Sequence, residues 1–235
     1  MKQPFIFIWI LLAFTSVMKG QASGASLENW FDKTVGKENL AINNGFIHIN
    51  DYIVRNNSNP YLIDSKFDTG TVIFDNQYYS ELSINYDSFN DELLLKPNGT
   101  QDIRAVIVIK EKTARFSILD KNFVNLNPSK SVDFVSGYYQ ETIISPNAIL
   151  YTKHAKTRSE KLQNDKVYSE FSEDKKFVLK LNDVFYRVSQ SSLNQLYPDK
   201  KQEISNFYKN NATLEKANPL KFHESLLVQL ESKSK

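Results

Sequence analysis

The chain has 235 residues, with 29 Lys and Arg against 27 Asp and Glu, and it contains no cysteine. A chain so near charge balance lacks the clustered basic excess of nucleic-acid-binding proteins, so we expect no nucleic-acid partner. Without cysteine, disulfides, thiolate metal sites and a lipid-modified cysteine are excluded. We predict a single domain, since the length allows one and no linker or internal repeat is visible.

The amino terminus has the layout of a secretory signal peptide. Lys2 precedes an uncharged apolar run, and Gly20 and Ala22 stand at the −3 and −1 positions of a cleavage site. The run is shorter than the about 20 apolar residues of a membrane-spanning helix, although an uncleaved anchor is the alternative. We expect cleavage after Ala22 and a periplasmic or cell-surface location. Removing residues 1–22 leaves 27 basic and 27 acidic residues in the domain at 23–235.

The segment after the signal predicts a short helix over residues 27–34, which Ser26 can cap. Beyond residue 45 the pattern changes to alternating and β-branched runs separated by turn residues, which are typical of strands. The run IRAVIVIK (103–110) predicts a strand that is buried on both faces or lies in the middle of the sheet, because it is nearly continuous in apolar and β-branched residues. A pair of short strands around the charged turn SEDKK (172–176) is predicted further on.

Helical spacing returns after residue 190. Asp199 is placed to cap one helix, with Gln202 three residues on. Asn218 followed by Pro219 is a favoured start for another. The predicted fold is therefore mainly β (α+β): a curved antiparallel sheet or half-barrel of about nine to eleven strands, a short N-terminal helix, and two or three C-terminal helices within residues 191–235.

Three carboxylates, Asp87, Asp91 and Glu92, lie within six residues between two apolar runs. An EF-hand loop counted from Asp87 needs an oxygen ligand at its third position and Gly at its sixth, where Phe89 and Glu92 stand. A glycosidase-type acid pair needs carboxylates on either side of a cleft, which one turn does not provide by itself. The favoured interpretation is a β-hairpin turn, because Asp and Asn hydrogen-bond the local backbone. An adventitious cation site and catalysis are the alternatives.

A basic segment carries Lys153, His154, Lys156 and Arg158 within six residues. Such a segment is able to bind lipid phosphates or acidic glycans. The favoured interpretation is a solvated hairpin whose charges discourage pairing with another sheet edge. We retain this basic segment and the acidic turn as candidate surface sites.

The three histidines are far apart in sequence and lack the spacing of a metal site. His48 is expected as a partly exposed strand residue, and His223 on the polar side of a helix. The sequence contains neither a Gly-x-Ser-x-Gly elbow nor a phosphate-binding glycine loop. We therefore predict no catalytic residue, metal or cofactor.

Adjacent aromatic residues occur three times in the predicted strands. Because neighbouring strand residues face opposite ways, each pair predicts one core residue and one surface residue. The pairs are Tyr78–Tyr79, Tyr138–Tyr139 and Phe185–Tyr186.

One series of residues carries a family signature: Asn59-Pro60-Tyr61, Gly70, Tyr78 or Tyr79, Tyr86-Asp87 and Asp91. In this order it resembles a family of exported β-rich proteins of Bacteroidetes-type bacteria. The likeness extends through the segments at 137–156 and 197–211, which is most of the chain after the signal. The resemblance implies export and a β-rich fold, and since the signature carries no known chemistry it implies no activity.

Together these features favour a binding or carrier protein for an apolar or glycan ligand. An envelope hydrolase that uses carboxylates gathered by the fold is one alternative, and an accessory or scaffold protein that docks on a membrane complex is another. The possible partners are thus a lipid, a glycan or an envelope protein. A deep apolar cavity would favour the carrier, convergence of carboxylates with a histidine the enzyme, and a flat exposed aromatic patch the docking protein.

Overall fold

A computed structural model describes residues 40–55, 58–97, 104–127 and 132–232. In this part the chain forms one open antiparallel sheet of 11 strands, followed by four α-helices. The prediction of a mainly β fold with a curved sheet and C-terminal helices is confirmed. The signal segment and the helix predicted over 27–34 lie outside the described residues. No helix in the described part is long and apolar enough to cross a membrane.

The sheet has the order β1-β5-β4-β3-β2-β6-β7-β8-β9-β10-β11, so most neighbours in space are also neighbours in sequence. The strands are β1 (Phe46–Ile47), β2 (Asp68–Phe74), β3 (Gln77–Asp87), β4 (Glu92–Lys96), β5 (Val106–Ile107), β6 (Thr113–Ile118), β7 (Lys121–Asn125), β8 (Tyr138–Ser145), β9 (Ala148–Gln163), β10 (Lys166–Leu181) and β11 (Val184–Arg187).

Two-residue turns join five of the consecutive strand pairs. In four of these turns both residues have a positive φ, which is the backbone of the type I′ turn that matches the twist of a hairpin. Seven of these eight residues are Asn or Asp, which tolerate the left-handed conformation. These four turns are Asp75-Asn76, Leu119-Asp120, Asn164-Asp165 and Asn182-Asp183.

Two strand predictions were wrong. The run at 103–110 contributes only the two-residue strand β5, which lies one place from the sheet edge and not in its middle. The segment SEDKK is no turn, because it lies inside β10 and pairs with β9 throughout. Side chains of both signs on each strand form ion pairs there, such as Lys161 with Glu170, so a charged sequence remains extended.

Four α-helices follow the last strand in the described part: α1 (Gln190–Leu196), α2 (Lys201–Asn210), α3 (Ala212–Ala217) and α4 (Pro219–Ser232). The start predicted for the last helix is confirmed, since Asn218 accepts a hydrogen bond from the backbone N–H of Lys221. The cap predicted at Asp199 was wrong, because this residue belongs to a 3-10 turn that precedes α2.

Aromatic side chains show how strongly the sheet curls. The ring of Tyr86 on β3 lies 5.2 Å from that of Phe123 on β7 and 6.0 Å from that of Tyr138 on β8. Since β8 is four strands from β3, a flat sheet would separate them by roughly 19 Å. The rings of Phe116 and Phe123 stack at 4.6 Å beside them, so the inside of the curl is filled by side chains.

The helices cover the other end of the same face. Leu150 and Leu179 of the sheet form a buried cluster with helix residues that include Leu193, Ile204 and Leu226. Each such leucine contributes about 2 kcal/mol by leaving water. This packing fixes the helices at the end of the sheet away from β1.

Only some of the adjacent aromatic pairs divide between core and surface. Tyr78 is 38% exposed and Tyr79 only 3%, as predicted. Tyr138 and Tyr139 are both buried, which corrects the expectation for that pair. The reason is a second apolar cluster on the outer face of β7–β11, where Val135 and its neighbours cover Tyr139.

Candidate functional site

The acidic turn and the basic segment meet where the sheet curls. Lys153 Nζ on β9 lies 2.7 Å from Asp91 Oδ1, and Lys110 Nζ lies 3.0 Å from Asp91 Oδ2. The hydroxyl of Tyr86 donates to Asp91 Oδ1 at 2.6 Å, and the backbone N–H of Tyr138 donates to the same atom at 3.3 Å. One carboxylate thus joins the β3–β4 turn to β8 and β9.

The local backbone makes room for this network. Asp91 has a φ of 59°, a conformation that Asp tolerates. Gly137 has a φ of 79°, and a Cβ added there would lie 1.8 Å from Asp91 Oδ2. The amino group of Lys153 is largely buried, and burial lowers its pKa more than the neighbouring Asp91 raises it. The network therefore depends on a glycine at position 137.

Asp87 organises the turn itself. Its Oδ1 accepts the backbone N–H groups of Phe89 and Asn90 at 3.0 and 2.9 Å, and its Oδ2 accepts Asn90 Nδ2 at 2.9 Å. These bonds confirm the predicted hairpin turn. Its predicted surface position was wrong, because Asp87 is 0% exposed and Ser88 donates to the carbonyl of Pro60 beneath the overlying segment.

Two of the carboxylates converge with a histidine. His48, Asp87 and Glu92 each place one potential ligand atom within 4.8 Å of the others. Burial, and secondarily the charge of Asp87, raises the pKa of Glu92, while burial lowers the pKa of His48 against the attraction of Asp87. Among the described residues, no lysine or arginine forms an ion pair with Asp87 or Glu92. The two carboxylates of this acid–imidazole cluster therefore have no direct ion-pair partner in the described part of the chain.

Tyr61 connects the acid–imidazole cluster to an open groove. Its hydroxyl lies 3.4 Å from His48 Nε2 and accepts a hydrogen bond from Asn50 Nδ2 at 3.0 Å. The groove measures about 620 Å³. Its polar lining comes from Asn50, Arg55, Ser58, Asn59, Asp64 and Ser65. Its apolar lining comes from Val54, Pro60 and Ile63.

The groove-forming residues within 50–55 and 58–65 are tied to two strands. Lys156 Nζ on β9 donates to the carbonyl of Asn59 at 2.8 Å, and Ser58 Oγ accepts the backbone N–H of Phe171 on β10. Burial is the main cause that lowers the pKa of Lys156. The residues that line the groove are therefore anchored to the hairpin of β9 and β10.

The basic segment forms neither the solvated hairpin that was favoured for all its residues nor the candidate surface site. His154 is buried, its Nε2–H donates to Gln140 Oε1 at 2.7 Å, and burial lowers its pKa to about 4. Lys153 and Lys156 point into the network and the groove segment. Arg158 remains near the surface, 2.7 Å from Glu160, with its guanidinium over the ring of Tyr52. Lys153 lies on the opposite face of β9 from the other three side chains, while His154, Lys156 and Arg158 share one face and meet different partners because they succeed one another along the strand.

His223 also departs from its predicted place. It is buried against the ring of Phe177 at 4.4 Å, and burial lowers its pKa to about 4. Within the described residues its Nδ1 has no hydrogen-bond partner. His223 therefore acts as part of the core between α4 and the sheet.

A larger groove, of about 840 Å³, shares no lining residue with the first. It is formed by β2, β3, β6 and β7 and includes Asp68, Ser80 and Asn122. It contains none of the sequence candidates, and no buried ionisable cluster adjoins it in the described part. We place the candidate site at the smaller groove because Tyr61 links that groove directly to the acid–imidazole cluster.

Comparison of the chain with models of protein families, with curated proteins and with solved structures finds no match. The resemblance to an exported family of Bacteroidetes-type bacteria therefore stays a prediction, and the function has to be argued from the groove and its surroundings.

Proposed function

We propose that this protein is an exported, non-catalytic binding protein that holds a glycan in the groove lined by residues within 50–55 and 58–65. The observation that carries the proposal is the lining of that groove. Amide, guanidinium, hydroxyl and carboxylate groups alternate there with Val54, Pro60 and Ile63. Sugar hydroxyls need donors and acceptors of this kind, while the C–H faces of a sugar ring need apolar contacts.

The filled interior of the sheet favours a glycan over an apolar ligand. Tyr86, Phe116, Phe123 and Tyr138 occupy the inside of the curl, and all four are nearly or completely buried. A carrier of lipids needs an apolar cavity large enough to enclose a chain. The space that such a ligand would occupy is taken by these rings in the described part of the molecule.

Export is supported by the sequence of residues 1–22 alone. The expected product after cleavage begins at Ser23, and mass spectrometry of the protein from an envelope fraction measures this directly. A protein that retains Met1 and resides in the cytoplasm would contradict the exported role.

The binding role is tested by titrating the purified protein with a panel of soluble envelope and plant oligosaccharides in a calorimeter. Arg55→Ala and Asn50→Ala each remove a polar side chain from the groove, and we expect each to weaken binding by about tenfold or more. Asn122→Ala in the larger groove is the matched control and should bind as the unmodified chain does. Binding that is insensitive to Arg55 and Asn50, or absent across the panel, would refute the proposal.

A second candidate, an envelope glycoside hydrolase, is favoured by the acid–imidazole cluster. Glu92 has a raised pKa beside Asp87, and two carboxyl groups with different environments are the arrangement of an acid–base pair. We prefer the non-catalytic role because Asp87 is completely buried and both its oxygens are bonded within the turn. Release of nitrophenol from aryl glycosides that disappears in Glu92→Gln would select the hydrolase instead.

A further inference from the structure

We propose that His48, Asp87 and Glu92 bind one divalent transition-metal ion, and that Zn²⁺ fits this ligand set best. The site goes beyond the glycan-binding role, since it lies beneath Tyr61 and needs no sugar for its formation. One imidazole nitrogen and two carboxylate oxygens are the donors that zinc accepts when a fourth position is left for water or another ligand.

The spacing of the three groups is close to that of a coordinated ion. Their potential ligand atoms lie within 4.8 Å of one another. Ligand atoms that each lie about 2.1 Å from one zinc ion are roughly 3.4 Å apart in tetrahedral geometry. His48 and Glu92 are only half-buried, so their side chains have room to move toward that distance. Asp87 is fixed by the turn, and its Oδ2 accepts only one hydrogen bond from the described residues and keeps a lone pair for the ion.

The balance of charge distinguishes these carboxylates from their neighbour. Asp91 has two lysine partners, Lys110 and Lys153, at 3.0 and 2.7 Å. Asp87 and Glu92 form no ion pair with a lysine or arginine of the described chain, although Asp87 is completely buried. A buried carboxylate is costly unless it is paired or binds a metal. Lys110 and Lys156 interact electrostatically with Glu92 and Asp87 from beyond ion-pair distance. A divalent cation between the two carboxylates supplies a direct counter-charge.

Hydrogen bonds from a second layer hold two of the three ligands. The hydroxyl of Tyr61 lies 3.4 Å from His48 Nε2, and Asn90 Nδ2 donates to Asp87 Oδ2 at 2.9 Å. Such partners fix the orientation of metal ligands, and their removal commonly weakens metal binding by 10- to 100-fold. The three ligands come from separate parts of the chain, which explains why their sequence spacing shows no metal motif.

The experiment uses the purified protein without a polyhistidine tag, treated with a chelator and dialysed. We expect Zn²⁺ to bind with one-to-one stoichiometry in calorimetry, and to raise Tm by about 5 °C or more when free Zn²⁺ exceeds Kd a hundredfold. His48→Gln and Glu92→Gln should each weaken binding by at least a hundredfold. Tyr61→Phe should weaken it by about tenfold through the orientation of His48.

Glu111→Gln, at an exposed position outside the cluster, is the matched control and should leave Zn²⁺ binding unchanged. Circular dichroism at neutral pH establishes that each variant is folded, and Asp87→Asn is avoided because it also alters the turn. Absence of Zn²⁺ binding would overturn the proposal. So would binding that survives both His48→Gln and Glu92→Gln, or a site that takes Ca²⁺ as well as Zn²⁺ and does not need His48.

Discussion

Removing the charge of Asp91 should destabilise the protein far more than an ordinary surface substitution does. Asp91→Asn keeps an oxygen that can accept from Tyr86, but it leaves Lys110 and Lys153 without their counterion. The side chains of Asp91 and Lys153 are only 19% and 14% exposed, so neither charge is well solvated. Breaking a buried pair from one side costs 3–5 kcal/mol, and the remaining exposure places this case at about 3 kcal/mol.

The assay is urea unfolding followed by circular dichroism, with the free energy of unfolding extrapolated to water. A loss of about 3 kcal/mol corresponds to a Tm lower by about 6–12 °C for a domain of this size. Asp75→Asn is the matched control: Asp75 pairs with Lys112 at 3.3 Å, but its side chain is 63% exposed, so the loss should be below about 1 kcal/mol.

A double-mutant cycle separates the ion pair from other effects of the substitution. With Lys153→Met already present, Asp91→Asn should cost less by about 1–3 kcal/mol, because the buried cation is gone. A loss below 1 kcal/mol for Asp91→Asn alone, or full additivity with Lys153→Met, would show that the Asp91 network does not hold the curl together.

Three further predictions concern packing and pH. Gly137→Ala should lower the free energy of unfolding by more than about 2 kcal/mol in the same urea assay, since its Cβ would overlap Asp91. Leu226→Ala should cost about 2–5 kcal/mol as a core cavity, whereas the exposed Val228→Ala in the same helix should change little. The lowered pKa of His223 means that the unfolded chain binds the proton more readily between pH 6.5 and 4, so stability falls as pH falls through this window. Urea titrations at pH 7 and 4.5 should show a smaller fall in His223→Phe, by about 2–3 kcal/mol; an equal fall would contradict the assignment.

The hairpins and the C-terminal helices could be predicted because their signals are local. Paired turn residues such as Asn164-Asp165 and the Asn218-Pro219 start need only their immediate neighbours to be recognised. The turn at 87–91 was recognised in the same way. The burial of Asp87 could not be predicted, because it depends on a segment some 27 residues earlier in the chain.

The candidate site itself is a product of the curl. His48 follows the edge strand β1, Tyr61 lies in a connection, and Glu92 begins β4, so their proximity has no counterpart in sequence spacing. The ion pair between Asp91 and Lys153 could not be predicted either, because it joins the acidic turn to the basic segment, which are far apart in sequence. His223 was expected on the polar side of its helix, but the ring of Phe177 on β10 packs against it. This contact also joins residues that are far apart in sequence.

The order of the strands has a consequence for how the chain reaches this structure. Six hairpins, each between strands adjacent in sequence, can form early, since the loops that they close are short. The contacts that curl the sheet, from Tyr86 to Tyr138 and from Asp91 to Lys153, join residues about 50 to 60 positions apart. Closing such a loop costs more entropy than closing a hairpin. The groove and the acid–imidazole cluster are therefore expected to be assembled in the last stage of folding, from hairpins that already exist.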